Sequence, residues 1–60
     1  MKWSEVIRIA KEKGWYLLRR GSKHDIYQHD EKDFFILIER HLSSEIKPGL
    51  YQKLKKQIGF

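Results

Sequence analysis

His24, His29 and His41 are the side chains of this 60-residue chain whose ordinary titration lies near neutrality, so proton-transfer chemistry is histidine chemistry here. They stand five and twelve positions apart, and no carboxylate sits at a familiar ligand offset from them. No metal site is therefore expected. A cysteine nucleophile, a phosphate-binding glycine loop and a serine elbow are all absent from the sequence, and no cofactor or small-molecule ligand is implied.

His24 is the most suggestive of the three. It follows Gly21-Ser22-Lys23 at the start of a predicted strand, with Arg19, Arg20 and Lys23 close by in sequence. Cleaving an RNA phosphodiester without a metal needs a group that moves a proton from the 2′-hydroxyl or to the leaving 5′-oxygen. It also needs cations that hold the phosphate as charge builds. One histidine with Lys or Arg is the minimum set, and a solvent-exposed turn histidine is the plain alternative. His29 and His41 read as surface residues, with phosphate contact as a secondary role. Trp3 and Trp15 read as core rather than as base-stacking platforms. The lysines of the last predicted helix, Lys53 and Lys56 among them, form a solvated face that can also track a phosphate backbone.

The elements that must position these residues are few. Trp3, Val6, Ile7 and Ala10 recur at the spacing of one helical face, with Ser4 available as N-cap and Gly14 as the stop. Trp15 to Arg19 reads as a strand, Gly21-Ser22 as a turn, and Lys23 to His29 as a second strand. The polar cluster from His29 to Asp33 suits a hairpin loop, and Phe34 to Glu39 makes a third strand. That third run is apolar on both faces, so both are expected to be covered, one by helices and the other by a partner. Arg40 to Lys47 carries no clear period. After Pro48, Leu50, Tyr51, Leu54 and Ile58 share a second helical face, closed by Gly59. The order α-β-β-β-α predicts a two-layer α+β domain over residues 1–60. Its three-stranded antiparallel sheet carries both helices on one face and leaves the other face free.

Composition sets the outer limits. Sixty residues make one domain with one small core, and the absence of cysteine removes any disulfide framework and favours a reducing, cytoplasmic setting. The longest apolar run, Phe34 to Ile38, is far short of the roughly 20 residues of a membrane span, and no signal-peptide pattern opens the chain. The expectation is a soluble protein with no membrane partner. The net charge of +5 is segregated: residues 1–24 carry +5, residues 25–39 carry −4 and residues 40–60 carry +4. Two basic segments around an acidic middle fit a polyanion-binding face beside a different, acidic surface.

Several strings then form a pattern in order. Gly14-Trp15, Gly21-Ser22-Lys23-His24-Asp25-Ile26-Tyr27, Arg40-His41, Glu45-Ile46-Lys47-Pro48-Gly49 and Leu54-Lys55-Lys56-Gln57-Ile58-Gly59-Phe60 together resemble the HicA family of toxin mRNA interferases. The resemblance covers nearly the whole chain. It implies a fold like the double-stranded-RNA-binding domain and a toxin of a type II toxin–antitoxin system. It further implies an endoribonuclease that cuts mRNA and is inhibited by a HicB-type antitoxin. The catalytic role in the glycine-serine turn carries over to His24, and the residues themselves, by charge and position, give Arg19, Arg20, Ser22, Lys23, Lys53 and Lys56 as the expected RNA contacts. The competing expectation is a non-catalytic RNA-binding module of the same fold, which holds RNA by shape and phosphate contacts and cuts nothing.

Overall fold

A computed structural model describes residues 1–60. The elements run α1 (Trp3–Glu12), β1 (Tyr16–Arg20), β2 (His24–Gln28), β3 (Ile36–Glu39) and α2 (Pro48–Ile58). The sheet is antiparallel in the order β1-β2-β3, so β1 and β3 are both edges. The expected α-β-β-β-α order and α+β class are the observed ones.

One cluster forms the core. Trp3, Val6 and Ala10 of α1 meet Leu54 and Ile58 of α2, Tyr27 of β2 and Ile36 and Ile38 of β3, with Trp15 and Ile46 closing the ends. Both tryptophans belong to this core, as their positions predicted. Since residues of both helices share it with one face of the sheet, the helices lie together on that face. Leu50, expected on the inner face of α2, lies at its margin and is exposed.

The helix ends follow from specific partners. Past α1, Gly14 takes φ +99°. That lets the Trp15 N–H reach the Ala10 carbonyl at 2.9 Å and the Gly14 N–H reach that of Lys11 at 3.1 Å, a Schellman-type end. The start of α1 differs from expectation. Ser4 lies inside the helix, Lys2 is the N-cap, and no side chain caps it. The free N–H groups of Trp3 and Ser4 donate instead to the carbonyls of Ser44 and Leu42, at 3.2 and 3.0 Å. The aperiodic 40–47 segment is thus the cap of the first helix, satisfying donors that every helix start leaves open.

One further expectation is corrected, and another holds. The third strand begins at Ile36, two residues later than its apolar run suggests, because Phe34 and Phe35 belong to the hairpin connection and remain exposed. Its second face is left free by the chain, as expected: Ile36 and Ile38 are 1% exposed, whereas Leu37 between them is 55% exposed. Strand alternation enforces this, since neighbouring side chains point to opposite faces.

That contrast gives a direct test. Ile38→Ala should cost about 2–5 kcal/mol through lost burial and a cavity, a large share of the roughly 3–9 kcal/mol a 60-residue domain commands. Leu37→Ser should change stability by less than about 0.5 kcal/mol. Urea unfolding of both variants measures this, and equal losses would contradict the assignment of faces.

Candidate active site

Register decides which side chains meet. On β2 and β3, Tyr27 pairs with Ile36 and Asp25 with Ile38 on the helix side, while Ile26 pairs with Leu37 and His24 with Glu39 on the open side. His24 Nε2 stands 3.3 Å from Glu39 Oε2, with both side chains partly exposed, and the contact is an ion pair when the imidazole is protonated. Glu39 was not singled out from the sequence. The signal that could have found it is cross-strand pairing, which becomes readable only once the register is known.

The same logic separates Arg19 from Arg20. The β1–β2 ladder runs Tyr16↔Gln28 and Leu17↔Tyr27, then shifts at a bulge to Arg19↔Ile26 and Arg20↔Asp25. Without the extra residue, Arg19 would oppose Asp25 on the helix side. The bulge instead brings Arg19 to the open side, beside the position of His24, and turns Arg20 toward the helices. There Arg20 lines a groove of about 350 Å³ beside α1, with Ile7, Lys11, Leu17, Tyr27 and Arg40 among its walls. Burial first, and then the Asp25 carboxylate, push the Tyr27 hydroxyl above the ordinary phenol range, while the Arg20 guanidinium offsets part of that rise.

The turn carrying Ser22 and Lys23 is held from both ends. The Gly21 N–H donates to the His24 carbonyl at 2.8 Å. Arg40, one residue past β3, donates through Nη2 to the Gly21 carbonyl and through Nε to Asp25 Oδ1 at 3.0 Å. A single guanidinium therefore ties the start of the turn to the second residue of β2, with His24 lying between them. Its planar fork suits two acceptors at once. Gly21 is required by space rather than by torsion: a Cβ there would stand 2.7 Å from the His24 carbonyl oxygen. Ser22 and Lys23 themselves are exposed at the tip.

The other histidines take different roles. His29 is a packing residue: Nδ1 accepts the Glu31 N–H at 3.0 Å, so Nε2 carries the proton and donates to the Lys13 carbonyl at 2.7 Å. Its ring meets Trp15 edge-on at 5.3 Å. His41 lines a cavity of about 330 Å³ together with Glu39, Ser44, Lys47 and Leu50. Lys53 and Lys56 are exposed on α2. Lys53 borders a depression along β3 that the Gly21–His24 turn does not line. Of the expected RNA contacts, the open sheet face therefore brings Arg19 beside His24, the turn adds Ser22 and Lys23, and Arg20 and the α2 lysines lie elsewhere.

The arrangement supplies a half-exposed imidazole beside a carboxylate, an arginine on the same face, and a lysine at the adjoining turn. Such a set can move a proton and hold an anion. Gly21→Ala should lower stability by about 1–3 kcal/mol by forcing the turn open. Gly49→Ala, whose added Cβ meets nothing within 4 Å, should be neutral or stabilising. Thermal unfolding with amide spectra of residues 21–25 checks this, and an unperturbed Gly21→Ala turn would contradict the crowding.

A family model described as the HicA toxin of bacterial toxin-antitoxin matches residues 3–60 of the chain. No curated protein matches it.

Proposed function

Since the chain belongs to the HicA toxin family of bacterial toxin–antitoxin systems, we propose that it is an endoribonuclease that cleaves mRNA through His24, metal-independently, and that a HicB-type antitoxin neutralises it. The observation that carries the reading is the His24–Glu39 pair at 3.3 Å on an open sheet face, at the end of a turn clamped by Arg40.

The chemistry follows from what these groups can do. His24 is the general acid or base: it takes the 2′-hydroxyl proton or delivers one to the leaving 5′-oxygen as the phosphodiester breaks. Glu39 holds the imidazole in place and stabilises it when it carries the proton. Arg19, on the same face, and Lys23, at the turn tip, hold the phosphate and meet the charge that builds on its oxygens. Ser22 offers a hydroxyl to the same phosphate. Arg20, turned into the groove beside α1, lies off this path, and Lys53 and Lys56 add affinity that does not depend on sequence.

The antitoxin half of the reading rests on surface. Leu37 on the open face is 55% exposed, beside the His24–Glu39 pair, and an apolar position next to a charged centre suits a protein that covers both. No helix of the chain is long and apolar enough to cross a membrane. The cytoplasm, where mRNA is found, is the setting this activity requires.

His24→Ala should lower the rate of RNA cleavage by roughly 10²- to 10⁴-fold while leaving RNA affinity within a few-fold of the parent. Glu39→Gln should lose rate with little change in KM, since it removes orientation rather than binding. Single-turnover cleavage of a labelled mRNA fragment by the purified chain measures both. Cleavage that survives His24→Ala unchanged would overturn the assignment, and RNA binding without any cleavage by the parent would favour the binding-module alternative.

A further inference from the structure

A shallow trough runs along the free edge of β3, between that strand and α2. Phe35, Leu37 and Glu39 alternate along its sheet side. Its α2 side is shared by two depressions that meet at Leu50. One, of about 190 Å³, has Phe35, Leu37, Lys53 and Gln57 among its walls. The other, of about 330 Å³, has Glu39, His41, Ser44 and Lys47. Phe35 is 57% exposed, more than any other large apolar residue of the chain.

We infer that this trough holds the single-stranded stretch of RNA flanking the scissile bond. Phe35 stacks a base, Leu37 and Leu50 line the floor, and Lys53 and Lys47 meet successive phosphates. The inference rests on the nuclease reading, because the trough ends at Glu39, the residue in contact with His24. Three features favour RNA over a peptide. An exposed aromatic beside lysines is the pairing that single-stranded nucleic acid uses, a π-face for the base and cations for the backbone. The α2 wall is basic, with Lys56 one turn beyond Lys53, whereas the carboxylates, Glu39 and Glu45, lie at the histidine end. The trough is also continuous with the proton-transfer group through shared residues. A single strand is required because a base must be unstacked to lie on Phe35, and an A-form duplex offers only its shallow groove and backbone.

The test uses the full chain. Binding is read on the His24→Ala background, so that RNA stays intact, with a fluorescein-labelled single-stranded RNA and the same sequence as a duplex. Phe35→Ala should weaken single-strand binding by roughly 5- to 150-fold, with the duplex affected far less. Lys53→Gln, a surface change that cannot unfold the domain through its core, should reduce the slope of log affinity against log salt by about 1. Thermal unfolding confirms that both variants are folded. Unchanged single-strand affinity in both overturns the proposal. So does intact RNA binding combined with lost binding to the cognate antitoxin, which would make the trough a protein-docking surface. Cleavage is read separately on the otherwise unmodified chain. A parent that cuts nothing while Phe35→Ala still weakens single-strand binding removes the nuclease reading and supports the trough. A parent that cuts, with Phe35→Ala leaving KM unaltered, removes the trough and keeps the nuclease.

Discussion

A strand has two faces, and in β3 that constraint organises the rest of the molecule. Ile36 and Ile38 are needed inside, against Val6 of α1 and the inner face of α2, so Leu37 and Glu39 must face out. Antiparallel pairing then fixes which residues of β2 share the outer side, and His24 falls opposite Glu39. A slip of β3 by one residue would carry Glu39 into the core and turn Ile36 and Ile38 out to solvent, and burial of an unpaired charge would be costly. The core that stabilises the fold thereby also holds the histidine and its carboxylate at contact distance on an accessible surface.

The remaining devices correct what a plain hairpin would misplace. The bulge at Leu18 is one, since it exchanges the faces of Arg19 and Arg20 and leaves one guanidinium on each side of the sheet. Arg40 is another, reaching back from the end of β3 to the Gly21 carbonyl and Asp25, so that the turn is anchored to the strand it must face. His29 does comparable work at the opposite end of β2, fastening the second hairpin to the end of α1. Each is a polar contact at the rim of a small core, where buried area alone gives little rigidity.

Much of this was legible in the sequence. The helical faces of Trp3, Val6, Ala10 and of Leu54, Ile58 could be read from spacing, and Gly14, Pro48 and Gly59 marked helix boundaries through local backbone preferences. His24 stood out because its neighbours in the chain are the turn and the basic cluster. What stayed hidden depends on residues far apart in sequence. Glu39 meets His24 only through register, the caps of α1 come from carbonyls some 40 positions away, and a bulge leaves no signature in a five-residue strand. Ser4 has the right chemistry for an N-cap, but the 40–47 segment supplies the acceptors instead and the helix begins two residues earlier, with Lys2 as its N-cap.

The open face of the sheet and the groove beside α1 lie on opposite sides of β2, so one experiment can tell which of them meets RNA. Chemical-shift mapping of the chain with a single-stranded oligonucleotide, its 2′-hydroxyls replaced by hydrogen to prevent cleavage, reports on both at once. The expected result is perturbation of the His24 ring and of Arg19, Leu37 and Glu39, with the side chains of Leu17, Tyr27 and Leu42 unmoved. Perturbation confined to Leu17, Tyr27 and Leu42, with His24 silent, would contradict His24 as the centre of the site.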